Sequence, residues 1–371
     1  MHVLTAAEDA STLDRVRRGM QRALDGGPAI TVLPASPPRW RDTLMQAVRP
    51  ERRVDGGMVV PTSGSTGHPV GVVLGSDAVR WAAEAVNERL GGPGSWVLAL
   101  PLTHVAGLMV LARAVVGSHP VVAVGEDWSR ALDELPGGNP RYTSLVPTQV
   151  RRLLEEQPDV LARFDAVLVG GTALGQPLRA RAQARGVRLV ESYGMTETCG
   201  GCLHDGVPLP GVDVRLDGTG RVALAGPMLA SAYRRADADE PVATDGWFTT
   251  SDIGGWHQGR LQLYGRVDDV VATGGVSVSL SAVDALLAAH PDLADAAAVG
   301  LPDAEWGTEV VVVAVPTPGR DPTLASVRSF MAERAEPAYV PRRLVLVDDL
   351  ARPGPGKVNR HRLATLAEGG R

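Results

Sequence analysis

The chain has 371 residues, 44% of them apolar, two cysteines and a formal net charge of −5. That size and composition suit two or three cored domains, and with no long run of Lys or Arg they speak against nucleic acid or a membrane surface as a partner. Two cysteines give no disulfide framework, residues 1–10 lack the basic flank and apolar core of a signal peptide, and Arg113 breaks the apolar stretch 108–116; a soluble, cytoplasmic protein without membrane insertion is expected.

In chain order, the first distinctive segment is Pro61-Thr62-Ser63-Gly64-Ser65-Thr66-Gly67-His68-Pro69, which runs into the apolar, strand-like Val70-Gly71-Val72-Val73-Leu74. Hydroxyls interleaved with glycines make a loop able to wrap an anion, because glycine lets successive N–H groups converge while Thr62, Ser63, Ser65 and Thr66 add donors. It is not the P-loop of kinases and GTPases, which ends in Gly-Lys-Ser/Thr and opens a helix. Taken alone it also reads as a plain surface turn. Short apolar runs at 96–100, 121–124, 142–146, 166–169 and 188–191 alternate with helical spacing at 148–156 and 176–185, the pattern of an α/β fold with a largely parallel sheet. Between 210 and 265 the period changes to two, as in 212–216, 221–224 and 261–264, which suits a small β-rich subdomain. Beyond residue 266 a helix is expected at 281–290, strands at 296–300 and 309–316, a helix at 323–335 and a strand at 343–347, a compact α+β unit of roughly 100 residues. The expected division is an N-terminal domain over 1–267 and a smaller C-terminal domain over 268–371.

Cys199-Gly200-Gly201-Cys202, followed by His204, admits a redox or zinc reading. A structural zinc needs four ligands and a thioredoxin motif opens a helix in a βα unit, neither of which the surrounding residues provide. A glycine-rich loop with two incidental thiols is the expectation.

Four motifs stand in order: the hydroxyl loop; Ser192-Tyr193-Gly194-Met195-Thr196-Glu197; Thr249-Thr250-Ser251-Asp252; and Gly265-Arg266-Val267-Asp268-Asp269 with Gly274-Gly275. A fifth, Pro353-Gly354-Pro355-Gly356-Lys357-Val358-Asn359-Arg360, lies near the end. Over residues 58–362 the chain resembles the acyl-adenylating superfamily of acyl-CoA synthetases, firefly luciferase and peptide-synthetase adenylation domains. Its segments at 100–107, 142–149, 169–171 and 197–202 most resemble the actinobacterial 2-succinylbenzoate–CoA ligases of menaquinone biosynthesis.

The resemblance implies a large adenylate-forming domain followed by a small mobile α+β domain, with ATP, Mg²⁺ and CoA as co-substrates. A carboxylate would attack the α-phosphate of ATP to give an acyl-adenylate and pyrophosphate, and the CoA thiol would then displace AMP. The charge that develops needs donors and a metal. By resemblance Thr62, Ser63, Gly64, Ser65, Thr66 and Gly67 hold the departing phosphates, Thr196 bonds the α-phosphate, and Glu197 holds Mg²⁺, which prefers such oxygen ligands. Gly171, Ser192, Tyr193, Gly194 and Met195 belong to the nucleotide pocket, with Tyr193 stacked on adenine. Asp252 accepts both ribose hydroxyls and Arg266 reaches the ribose or phosphates; their plain structural readings are a turn or cap residue and a surface salt bridge. Lys357 bridges the substrate carboxylate and the α-phosphate, and Asp268 is the hinge about which the small domain turns between half-reactions. Gly274 and Gly275 would line the pantetheine tunnel. His104 lies near the acyl carboxylate, or is a histidine satisfied at a strand end, and the acyl pocket would draw on His104, Val146, Thr148, Gly170, Gly171 and Ser192, with Gly200 and Gly201 leaving room for a ring.

Two departures stand out. Relatives end the hydroxyl loop in Pro-Lys-Gly, whereas this chain has Pro69-Val70-Gly71, so a phosphate-site lysine is missing, with His68 or Arg80 as candidate substitutes. The loop also comes early, so the N-terminal subdomain is abbreviated, leaving a sheet edge that a second copy would cover in a homodimer. The alternatives left open are another aryl- or acyl-CoA ligase, an adenylating enzyme that loads a carrier protein, and a non-catalytic nucleotide-binding relative.

Overall fold

The computed structural model describes residues 1–6, 10–62, 69–125, 127–350 and 359–369. The chain divides into two compact units, one formed by Met1–Leu174, Leu178–Arg215 and Ala223–Thr249, the other by Gly175–Pro177, Leu216–Val222 and Thr250–Arg371.

The first unit holds two sheets. Six strands stand in the order His2–Ala6, Ile30–Pro34, Met58–Thr62, Val70–Leu74, Ala232–Arg234 and Asp239–Pro241. The first three run parallel, and the rest alternate in direction. The helices Ala10–Leu24 and Pro38–Val48 precede Met58, so residues 1–57 supply two strands and two helices. The second sheet has seven strands, in the order Val207–Pro208, Gly200–His204, Leu189–Met195, Ala166–Gly170, Arg141–Leu145, Ser95–Leu98 and Val121–Ala123. The last five are parallel, and Gly200–His204 folds back antiparallel on Leu189–Met195. The alternating apolar runs of the sequence are these parallel strands. One face carries a core of Leu145, Val167, Val169 and Leu189 with residues of the helices that follow, including Leu153 and Leu178.

A four-stranded sheet, Asp213–Leu216, Arg221–Ala225, Phe248–His257 and Arg260–Arg266, accounts for the period-two segment. In the second unit the strands Leu293–Asp303, Gly307–Pro316 and Arg343–Leu346 form one sheet, joined by the hairpin Val270–Thr273/Val276–Ser279 and the helices Leu280–Leu287, Leu324–Ala332 and Arg360–Gly369. Val310, Val312 and Ala314 face one core, Val311 and Val313 another, so this valine run is a strand buried on both faces. Thr323 starts the helix Leu324–Ala332 by accepting the backbone N–H of Ser326 at 3.1 Å. Among the described residues no helix is long and apolar enough to cross a membrane.

Cys199-Gly-Gly-Cys202 is not a loop. Gly200–His204 is a strand, entered through left-handed Cys199 (φ 51°) and Gly200 (φ 83°). Both thiols are free and fully buried. Burial raises their pKa, to about 12 for Cys202 and further for Cys199, and no group of three metal-ligating side chains occurs among the described residues, so the pair is core packing.

Candidate functional site

The motif Ser192 to Glu197 straddles a change of structure. Residues up to Met195 complete the strand Leu189–Met195, and Thr196–Thr198 is a single 3-10 turn. Buried Thr198 holds that turn: the Met195 backbone N–H donates to its hydroxyl at 2.9 Å, and the hydroxyl donates to the Gly200 carbonyl at 2.7 Å. Thr196 and Glu197 are left partly exposed beyond the strand end, where sheets of this class bind ligands.

Glu197 is tied to the other sheet. The Tyr233 hydroxyl donates to its Oε1 at 2.9 Å, and the Ala230 N–H to its carbonyl at 2.8 Å. Tyr233 pairs in register with Val72 of the strand Val70–Leu74, which forms a hairpin with Met58–Thr62. Glu197 therefore stands next to the strands that enter and leave the hydroxyl loop. The loop residues Ser63, Gly64, Ser65, Thr66, Gly67 and His68 lie outside the described residues; Thr62, its first hydroxyl, closes the strand Met58–Thr62. Val70 is buried in the sheet, and Arg80 is engaged elsewhere, donating from Nη2 to the Leu24 carbonyl and to Asp25 at 2.9 Å each.

The helix Val105–Val116 begins at His104, whose Nδ1 is 3.0 Å from the Thr103 hydroxyl. Nine residues on, in the last turn, Arg113 is buried. Its guanidinium carbon lies 5.3 Å from the Trp96 ring centroid and its Nη1 lies 3.4 Å from the Ser144 hydroxyl. Nε has no hydrogen-bond partner, and no carboxylate among the described residues pairs with it. The C-terminal end of the helix dipole and the ring face partly offset the lost hydration. Burial lowers its pKa to about 10, so it stays charged at neutral pH. Sequence reading saw this arginine only as a break in an apolar run.

Ser192 and His204 pair across adjacent strands, so their side chains share a face. A Cβ on Gly201 would stand 1.9 Å from the Ser192 hydroxyl oxygen, so a larger residue there would have to displace the serine side chain. On Gly200 a Cβ would meet Met109 of the helix at 3.6 Å. Gly170 closes the strand Ala166–Gly170 beside Ser192, Gly171 follows at φ 88°, buried Val146 precedes the helix Pro147–Glu156, and Thr148 is exposed in its first turn. Among the residues named above, these observations bring Gly170, Ser192 and Gly201 together, with His204 unforeseen beside them.

In the second unit Asp252 and Arg266, fourteen positions apart, face each other across the hairpin with Nη1–Oδ1 at 3.5 Å. Asp252 is buried and its backbone N–H donates to the Thr250 hydroxyl at 3.0 Å. Asp268 lies in the 3-10 turn Val267–Asp269. Its neighbour Asp269 binds Arg360 through Oδ1 to Nε at 2.8 Å and Oδ2 to Nη2 at 3.1 Å, and Arg360 Nη2 reaches Asp284 at 2.8 Å. Arg360 thus joins the helix that follows Lys357 to the turn Val267–Asp269; Lys357 itself lies outside the described residues. Arg360→Met leaves two largely buried carboxylates facing each other, and a loss of about 3 kcal/mol is expected in denaturant unfolding of the C-terminal unit. Gly274 and Gly275 form the two-residue turn of the hairpin Val270–Thr273/Val276–Ser279 at φ 56° and 81°. A Cβ on Gly274 would meet Trp306 at 2.9 Å.

Residues 6–233 match the family described as AMP-binding enzyme, and residues 282–357 its C-terminal domain. A probable 2-succinylbenzoate–CoA ligase of Mycobacterium tuberculosis is 41% identical over 360 residues, covering 92% of each chain. The 2-succinylbenzoate–CoA ligase of Enterococcus faecalis is 28% identical over 83% of this chain and 69% of its own. Among solved structures, a single-substitution variant of Escherichia coli MenE with bound OSB-AMS superposes with a TM-score of 0.80 at 24% identity, covering 100% of this chain and 88% of that one. Bacillus subtilis MenE in complex with OSB-AMP gives 0.77 at 22% identity, over 98% and 87%. At those identities the structural likeness is one of fold.

Proposed function

The chain belongs to the AMP-binding enzyme family, and from that premise we propose that it is the ATP-dependent ligase that converts 2-succinylbenzoate and CoA to 2-succinylbenzoyl-CoA, AMP and pyrophosphate in menaquinone biosynthesis. The observation that carries the substrate is Arg113. A buried guanidinium with no carboxylate partner is costly unless a ligand supplies the anion, and 2-succinylbenzoate has one carboxylate to activate and a second to bind. Arg113 lies nine residues beyond His104, the N-cap of the same helix, about 14 Å along its axis.

The chemistry follows from the motif residues. Thr196 donates to the α-phosphate, Asp252 accepts the ribose hydroxyls and Arg266 adds positive charge on the ribose and phosphate side. Lys357 holds the two reacting anions together, and Asp268 is the hinge between a domain over 1–267 and one over 268–371. Glu197 fits Mg²⁺ as a single protein ligand: Tyr233 occupies Oε1, leaving Oε2 for a cation that completes its shell with water and phosphate oxygens. Bound there, Mg²⁺ would neutralise charge on the phosphates. With Val70 in the sheet, that neutralisation falls to the loop hydroxyls and the metal. The edge strand His2–Ala6, paired on one side only, is where a second copy would add. The protein works in the cytoplasm on small-molecule substrates.

The test is mass-spectrometric detection of the thioester after mixing the protein with ATP, Mg²⁺, CoA and one of several acids. Product is expected from 2-succinylbenzoate and not from benzoate or a medium-chain fatty acid. Product from a control alone would retain the chemistry and overturn the substrate.

A further inference from the structure

His204 is an anomaly that the adenylation chemistry does not use. Its side chain is fully buried, and among the described residues neither ring nitrogen has a hydrogen-bond partner. A buried donor and acceptor both left unpaired destabilise a fold, and such groups call for an explanation. The ring lies on the face that the strand Gly200–His204 shares with Ser192, against which the helices Ser76–Leu90 and Val105–Val116 pack. Its Nε2 lies close to Gly201: a Cβ there would stand 3.4 Å from it. The charges around it come from Arg113 and Arg89 of the two helices and from Asp205, its own neighbour. Burial above all, with Arg113 and Arg89, depresses the imidazole to about 3, so it is neutral at pH 7 and offers one N–H.

We propose that His204 is a specificity-determining residue of the acyl pocket, donating its Nε2–H to the second carboxylate of an aromatic diacid that Arg113 neutralises. The inference rests on the ligase reading above and adds a recognition residue to it. Arg113 offers charge and Ser144 holds its Nη1 from the strand Arg141–Leu145, while His204 offers a neutral donor from the strand Gly200–His204, with Leu189–Met195 and Ala166–Gly170 between the two. A carboxylate has two oxygens and accepts from both sides. A monoacid without the second carboxylate would leave the imidazole unpaired and the guanidinium without an anion, and sites built this way reject analogues that lack the matching group.

The experiment uses the whole protein with 2-succinylbenzoate and its two monoacid analogues, 4-oxo-4-phenylbutanoate and 2-butyrylbenzoate, each lacking one carboxylate. His204→Leu should lower kcat/KM for the diacid roughly 10–100-fold, mostly through KM, and leave the monoacid that is turned over within about twofold. His204→Gln, which keeps an N–H donor, should recover most of the loss. If His204→Leu does not fold, ¹⁵N-histidine NMR of the wild-type protein decides: the diacid should shift the Nε2 resonance of His204 and the monoacids should not. Equal losses for diacid and monoacid, an unchanged diacid constant, or no diacid-specific shift would each overturn the role of His204 while the ligase reading stood. Failure of the wild-type protein to form the diacid thioester at all would overturn that reading instead, and this proposal with it.

Discussion

Replacing Lys357 with alanine is expected to slow acyl-adenylate formation roughly 10²–10³-fold, yet to leave transfer of presynthesised 2-succinylbenzoyl-adenylate to CoA nearly intact. Two anions, the carboxylate and the α-phosphate, must come within bonding distance, and a long flexible cation between them removes the largest repulsion. In the second half-reaction the attacking group is a thiol and the leaving group AMP is already formed, so the same cation has no pair to bridge. Three residues after Lys357, Arg360 is held at 2.8 Å by Asp269, which ties the start of the last helix to the turn Val267–Asp269. Pyrophosphate exchange measures the first step and thioester formation from the synthetic adenylate the second. Equal losses in both would contradict the role given to Lys357.

How far the chain could be read without its structure depended on whether a residue's setting is local. The parallel strands were legible because each is a short apolar run between helical segments, and Ala166–Gly170 and Arg141–Leu145 fall within a residue or so of the expected runs. The strand His2–Ala6 and the helix Ala10–Leu24 were not, since a five-residue strand and an arginine-studded helix carry little periodic signal until a sheet packs on them. Cys199 to Cys202 read as a loop because two glycines usually break a strand. Here they permit one, as the backbones of Gly194 and Gly200 approach so closely that a Cβ on Gly194 would stand 1.8 Å from the Gly200 carbonyl oxygen. The motifs were recognised by resemblance, and the side chains that touch them in the fold were not. Tyr233 reaches Glu197 from 36 positions away, and Arg113 is buried by Trp96 and Ser144, which precede it by 17 and follow it by 31. No local pattern marks such partners, because burial of a cation is decided by what the sheet brings to it.

Arg113 therefore supplies the other large effect, and its sign differs between activity and stability. Arg113→Met should lower kcat/KM for 2-succinylbenzoate roughly 10²–10³-fold, since a carboxylate left in a buried site without its cation loses about 3–5 kcal/mol. The same change should not lower the unfolding midpoint. The free protein pays desolvation for a guanidinium with an unpaired Nε and, among the described residues, no carboxylate beside it, and methionine fills the space, keeps contact with the Trp96 face and carries no charge. Replacing a buried charged group with an apolar one of similar volume is often neutral or stabilising. A stabilised, nearly inactive variant is what a binding-site cation predicts, because the strain it imposes on the empty protein is relieved only by the ligand. Thermal unfolding together with steady-state rates on the diacid and its monoacid analogues separates the cases. If the midpoint fell and both acids lost rate in step, Arg113 would be a structural residue, and the substrate would have to bind its second carboxylate elsewhere.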